Sequence, residues 1–329
     1  MATISPSAIW QSNEKQLVKI LDSGILLGRK KEIRFYAPSF MYYKTKHYCS
    51  SSEDFPTISV TGKGCALKCK HCGGLVLNTM YAAVTPEELF ETCAELNDRG
   101  AKGCLISGGC LPDGSVPLER FIPKMAEIKK RFGLTLFVHT GIIDFPTASA
   151  LKKAGVDAAL IDVIGSDKTI REIYNLNITV KDYADSLQAL TAARIPFVPH
   201  VIVGLQYGKL EGEKQALEMI SKTAPSAVVI IAFMPIRKTE MENIKPPKPQ
   251  DIARVLAVSR LMFPSIPLVL GCMRAKDAFS GKTEIMAMKA GVDAIAFPTE
   301  EALKFAESQE LKYSFSSYCC SQILTDIKI

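Results

Sequence analysis

The chain has 329 residues, 47% of them hydrophobic and 22% charged, and a formal net charge of +6. That length suits one large barrel or two average domains, with ample apolar material for a core. The charge surplus is modest and no Lys/Arg block stands out, so bulk nucleic-acid binding is not implied, and apolar runs such as Ala227–Pro235 are far too short to span a bilayer.

The segment before Phe55 predicts a helix around Asn13–Ser23 and an aromatic tract, Phe35–Tyr48, packed across the main body. From there short apolar runs alternate with amphipathic stretches. The runs are Thr57–Thr61, Gly103–Ser107, Thr135–Thr140, Ala158–Val163, Val198–Val203, Ala227–Phe233, Pro267–Gly271 and Ala294–Phe297. They are apolar throughout rather than alternating, as parallel strands covered on both faces are. Thr85-Pro86-Glu87-Glu88 opens a helix with a hydroxyl cap, a first-turn proline and carboxylates at the positive end. Asp144–Ala154, Asp182–Ala193 and the stretch after Thr299 are of the same kind, and Gly155 and Gly291 supply left-handed caps. Eight strand–helix units predict an α/β fold, a (β/α)8 TIM-type barrel over 55–309. Residues 1–54 form an N-terminal extension and 310–329 a cysteine-bearing C-terminal tail. A doubly wound sheet is the alternative, but no Gly-rich phosphate fingerprint follows the first strand.

The first residues, Met1–Leu17, show no basic stretch followed by an apolar run, so a cytoplasmic protein is expected. Thiols stay reduced in that compartment, so clusters among the ten cysteines point to metal ligation rather than disulfides.

Directly after the first strand stands Thr61-Gly62-Lys63-Gly64-Cys65-Ala66-Leu67-Lys68-Cys69-Lys70-His71-Cys72. Three thiolates at this spacing can hold three corners of an iron–sulfur cube, and the glycines leave backbone amides free for its sulfides. One iron then lacks a protein ligand and can take the amine and carboxylate of a small molecule. Structural zinc would want four protein ligands, and His71 sits too close to Cys72 to chelate the same ion without strain.

Cys-x3-Cys-x2-Cys at the end of a barrel's first strand resembles the radical S-adenosylmethionine superfamily. The resemblance implies a 4Fe–4S cluster on Cys65, Cys69 and Cys72 whose open iron chelates S-adenosylmethionine, cleaved to a 5′-deoxyadenosyl radical. Ser107-Gly108-Gly109 ends the second strand, where that family holds the cofactor's amino group; taken alone, the pair is a tight strand-to-helix turn. The resemblance also places the backbone of His71 against the adenine, and the stretch Val201-Ile202-Val203-Gly204 beside it, with Val203 the contact. Asp162, near the fourth strand's end, is a ribose or amino-group contact or a loop cap.

Among the other thiols, Cys93 and Cys104 are expected as buried structural residues. Cys110 follows the Gly-Gly turn, Cys272 ends the seventh strand, and Cys319-Cys320 stand in the tail. If the tail reaches back over the barrel mouth, these four hold an auxiliary iron–sulfur cluster. The alternative is scattered core thiols with a redox-sensitive tail. Cys49 is the reserve ligand.

The whole pattern resembles the biotin synthase-like branch, in which an arginine stands beside the sulfur-donating cluster; Arg274 is the comparable residue. The terminal Cys-Cys, the Ser-Gly-Gly-Cys turn and Phe35-Tyr36-Ala37-Pro38-Ser39-Phe40 look closer to a component of the two-protein lipoyl synthase, the one that acts second. No Cys-x4-Cys-x5-Cys motif of single-chain lipoyl synthases is present. The resemblance implies a sulfurtransferase of lipoate biosynthesis, adding sulfur to an octanoyl- or mercaptooctanoyl-lysyl group on a lipoyl-bearing carrier protein. Its partners would be a companion lipoyl synthase protein and an electron donor such as ferredoxin or flavodoxin, with no nucleic acid and no membrane. Biotin-type thiolation of a small molecule is the second reading, and a single-cluster rearrangement or methylation enzyme the third. A non-enzymatic iron–sulfur carrier would not need the open iron. His139 ends the third strand and His200 begins the apolar part of the fifth; either can face the mouth, with His139 the catalytic candidate, or be a satisfied core histidine.

Overall fold

The computed structural model describes residues 4–326 except 29, 40 and 52, so Phe40 of the aromatic tract lies outside the described residues. The strands in chain order are β1 (Glu32–Tyr36), β2 (Thr57–Ser59), β3 (Tyr81–Ala82), β4 (Gly103–Ser107), β5 (Thr135–His139), β6 (Ala158–Asp162), β7 (Phe197–Val203), β8 (Val228–Ala232), β9 (Leu268–Leu270), β10 (Ala294–Ala296) and β11 (Lys312–Ser316). They form one parallel sheet in the order β11-β1-β10-β9-β8-β7-β6-β5-β4-β2-β3. All eight expected strands are present in barrel order, and the sheet curls as an α/β barrel does. No ladder joins β11 to β3 among the described residues.

The gap between the sheet's edges is narrowed by segments the sequence placed outside the barrel. β1, from the region expected as an extension, lies between β10 and β11, and β11 comes from the expected tail. Polar residues break up the apolar run Ile33, Phe35, Tyr36, and β11 alternates, so neither reads as a buried strand. The rings of Tyr313 and Phe315 nevertheless pack on Phe35, with centroids 5.5 and 5.4 Å away. Ser39 stitches the seam: its Oγ accepts from Phe55 N (3.0 Å) and donates to the Ser317 carbonyl (3.2 Å).

Helices α1 (Pro6–Gln11), α2 (Glu14–Asp22), α3 (Pro86–Asp98), α4 (Ile122–Phe132), α5 (Phe145–Lys153), α6 (Asp167–Tyr174), α7 (Val180–Ala192), α8 (Glu213–Ile220), α9 (Pro249–Met262), α10 (Ser280–Lys289), α11 (Glu300–Ser308) and the short α12 (Ile323–Asp326) follow in chain order. The expected caps form: Thr85 and Asn13 make reciprocal capping boxes with Glu88 and Gln16, and Thr299 and Asp144 cap α11 and α5. No helix among the described residues is long and apolar enough to cross a membrane.

One core lies between sheet and helices. A second fills the curl, where Phe55, Phe137, Leu160, Val198, Val229 and Val269 meet Tyr36 and the tail's Cys320 and Ile323. Tyr36 Oη donates to Asp326 Oδ2 (2.6 Å) and Arg34 Nη2 to the Asp326 carbonyl (2.7 Å), fastening the tail inside the barrel.

Candidate functional site

A cavity of about 390 Å³ opens at the C-terminal ends of the strands, the end where β/α barrels carry their sites. Its wall is mostly apolar, with Leu160, Ile202, Val229 and Ile231 from the sheet, and every cysteine expected as a cluster ligand lines it except the reserve, Cys49.

The first cysteine loop leaves β2 through Gly62, at φ +57°, and Lys68 takes φ +46°. Thr61 Oγ1 donates to the Gly64 carbonyl (2.8 Å) and accepts from Gly109 N (2.7 Å); Ala66 N donates to the Cys110 carbonyl (2.9 Å). The loop and the Ser107-Gly108-Gly109-Cys110 turn are thereby laced together. The thiols of Cys69 and Cys72 and the ring of His71 bring their ligand atoms within 4.8 Å of one another. Contact with Cys69 holds the Cys72 thiol down to about 4 against its burial, helped by His71 and the Gly74 amide, while the Cys69 thiol is pushed far up by Cys72 and burial. Cys65 faces the same space, and its charge raises both Cys69 and Cys110. Soft thiols gathered on one loop suit an iron–sulfur cluster. A Cβ on Gly109 would stand 2.0 Å from the Gly64 carbonyl oxygen and 2.6 Å from Cys65 Cβ, so only glycine lets the turn approach the loop this closely. The ring of His71 lies 5.3 Å from that of Tyr174 and its Nδ1 is buried without a partner.

A second thiol group forms where β9 meets the tail. Cys320 touches both Cys272 and Cys319; that contact lowers Cys272 and Cys319 against their burial and raises Cys320. The charges of Lys276 and Arg274 lower Cys272 further.

Three expectations are corrected here. Cys110 stands with the first group: burial pushes its thiol up to about 12, and the charges that act on it include Cys65, Asp162 and Cys72. The strand-end position was read correctly, but β4 is next to β2, so its rim residue faces the first loop. Val203 points outward into the sheet–helix core while Ile202 lines the cavity, because side chains alternate along β7. Arg274 is not in the cavity wall. It is 2% exposed, donating from Nη1 to the Gly271 carbonyl (2.6 Å) and from Nη2 to the fully buried Glu284, which also accepts from Thr299 N and Oγ1 (both 2.7 Å). Cys49 is exposed on a hairpin, its Sγ 4.0 Å from Tyr42 Oη.

Between the two thiol groups runs a polar belt from three adjacent strands. His139 Nε2 lies 3.5 Å from Asp162 Oδ1, and His200 brings a ring nitrogen within 4.8 Å of both. Burial resists ionisation of Asp162, yet His139, His200 and His71 hold its carboxyl below the usual range. Burial drives His200 down to about 4, and its Nε2 is 3.3 Å from Ser321 Oγ, next to Cys320. Ser321 and the cavity-lining Tyr174 and Tyr183 were missed in the sequence; neither tyrosine's helix carries a motif.

The radical SAM superfamily model matches residues 59–219, a span containing the first cysteine loop, the Gly-Gly turn and the belt residues. Over these residues the chain is similar to the radical SAM superfamily, and a 4Fe–4S cluster and S-adenosylmethionine are the cofactors of that superfamily. Its curated relatives include biotin synthases at low identity: 26% over 219 residues for that of Leptospira biflexa (64% of this chain, 60% of that one), and 24% over 244 residues for that of Acidithiobacillus ferrooxidans (72% and 76%). The chain thus spans about 60% of the Leptospira protein's length. Among solved structures it is similar in fold to methylornithine synthase (PylB), with TM-score 0.62, 14% identity, and 95% of this chain and 94% of that one covered. The FeFe-hydrogenase maturase HydG from Carboxydothermus hydrogenoformans gives TM-score 0.61 and 12% identity, with 97% and 77% covered.

Proposed function

We propose that this chain is a radical S-adenosylmethionine sulfurtransferase, with Cys65, Cys69 and Cys72 holding the 4Fe–4S cluster that binds the cofactor and Cys272, Cys319 and Cys320 holding an auxiliary cluster. The observation that carries the reading is that two separate three-cysteine groups line one cavity. Bound there, the first cluster with S-adenosylmethionine would supply a hydrogen-abstracting radical and the second a sulfur atom. The chain's own residues set the rest. Gly109 lets the turn close against the loop that carries Cys65, and Asp162, kept ionised, offers acceptors to hydroxyl or ammonium groups. The apolar wall fits an aliphatic chain and keeps water from a carbon radical. Glu284 holds Arg274 behind Cys272, so that a positive charge offsets the thiolates.

The substrate we infer is an octanoyl- or mercaptooctanoyl-lysyl arm on a lipoyl-bearing carrier, worked on together with a companion lipoyl synthase protein. The tail cysteines support this, being docked inside the barrel rather than free. The biotin synthase names of the relatives favour a second reading, thiolation of a small molecule such as dethiobiotin. Anaerobic incubation with reductant, S-adenosylmethionine and either acyl-lysyl peptides or dethiobiotin, read by mass spectrometry, separates the two. A sulfur-bearing lysyl peptide supports the lipoyl reading, and turnover of dethiobiotin alone replaces it.

A further inference from the structure

Resting on the first-cluster reading above, we propose that the face around Tyr207 is the docking surface for an acidic one-electron donor protein. The outer side of the first cysteine loop is covered by three neighbouring segments. Lys70 N donates to the Ile173 carbonyl (2.8 Å) at the end of α6, and Asn175 Nδ2 to the Lys68 carbonyl (3.3 Å). Lys70 Nζ reaches Tyr207 Oη (3.4 Å) in the loop after β7 and Glu240 (3.8 Å) in the loop after β8. Gly208 sits so close to Lys245 that an added Cβ would lie 2.3 Å from that residue's carbonyl oxygen.

This surface gathers Lys68, Lys70, Lys209, Arg237, Lys238 and Lys245, all exposed except the half-buried Lys70. The acids among them are engaged: Glu240 faces Lys70, Glu172 accepts from Gln206 Nε2 (2.6 Å), and Glu242 accepts from Lys238 N (2.7 Å). With the exposed Glu211 beside Lys209 counted as well, six cations against four anions leave a net charge of +2 on this face. Directly beneath it lies Cys69, itself 5% exposed, so a single layer of loop separates the charged face from the three-cysteine site. Redox encounters use small, charge-steered interfaces. The traffic is one electron, lost by the donor's reduced group and gained at the three-cysteine site, with no atom transferred.

The test uses flavodoxin hydroquinone as the probe and the variant Lys209→Glu/Lys245→Glu, two exposed side chains away from the cysteines. A control, Lys130→Glu/Lys153→Glu, reverses charges at the helix C-termini at the opposite end of the barrel. Reversing two exposed charges should raise the flavodoxin Kd about tenfold at low salt and flatten its salt dependence. Zero-length carbodiimide cross-links should map to Lys68, Lys209 or Lys245. Formation of 5′-deoxyadenosine should fall with flavodoxin as donor and be unchanged with dithionite; the control should match the parent throughout. Unaltered flavodoxin affinity in the variant, or cross-links elsewhere, would overturn the proposal. Absence of 5′-deoxyadenosine with dithionite in the parent protein would overturn the cluster reading beneath it.

Discussion

Replacing Gly109 with Ala adds one methyl group at the point where the second strand's turn meets the cysteine loop. That carbon would fall 2.0 Å from the Gly64 carbonyl oxygen, 2.6 Å from Cys65 Cβ and 2.7 Å from Cys65 Cα, all far inside ordinary van der Waals contact. Two of these are backbone atoms and no flexible side-chain end can give way, so the loop and turn must part by roughly 1 Å or more. The hydrogen bonds from Gly109 N to Thr61 Oγ1 and from Ala66 N to the Cys110 carbonyl hold them where they are. Overpacking costs about 1–3 kcal/mol and each lost hydrogen bond about 0.5–1.5 kcal/mol, so the variant should lose about 2–4 kcal/mol, concentrated at the loop that carries Cys65. Gly108→Ala is the matched control: its Cβ would meet only side-chain atoms of Thr61 and Val60, at 3.1–3.2 Å. Iron per chain after anaerobic reconstitution, S-adenosylmethionine binding by calorimetry and 5′-deoxyadenosine yield report the site, and urea unfolding the stability. Gly109→Ala should lose iron from the first site and cofactor binding, with Gly108→Ala losing severalfold less of both. Equal behaviour of the two variants would refute the steric argument.

Cys69→Ala should abolish 5′-deoxyadenosine formation, whereas Cys93→Ala, in the core between α3 and β4, should leave it intact; the same assay decides both. Removing Cys319 and Cys320 should spare cofactor cleavage and stop sulfur transfer, while Cys110→Ala should leave the iron of the second site in place, measured by iron and sulfide content. His200 falls from 6.5 to about 4 in the fold, so below pH 6.5 the unfolded chain takes a proton that the folded one refuses. Stability should therefore drop by up to about 3 kcal/mol between pH 6.5 and 4, and His200→Gln should remove that slope in urea unfolding of the cluster-free protein. Glu284→Ala leaves the buried Arg274 charge unpaired and should cost about 3–5 kcal/mol, seen as a lower unfolding midpoint.

The eight inner strands and the first cysteine loop were legible in the chain because their signals are local. Continuous apolar runs mark strands buried on both faces, and three thiols within eight residues are bound to share one loop whatever the rest of the chain does. What only the tertiary structure decided involves residues far apart in sequence. β1 and β11 are strands because they fill the seam of an incompletely closed sheet, where Tyr313 and Phe315 find Phe35; nothing within either segment announces that partner. The tail cysteines could be read as a pair, but their third companion depended on strand order. Cys110 and Cys272 both end strands at the same rim, yet β4 lies beside β2 and the first loop, while β9 lies next to β10 and near the tail. Position along a strand tells which end of the barrel a residue occupies; its place around the barrel, and hence which thiols share a site, is set by closure of the sheet.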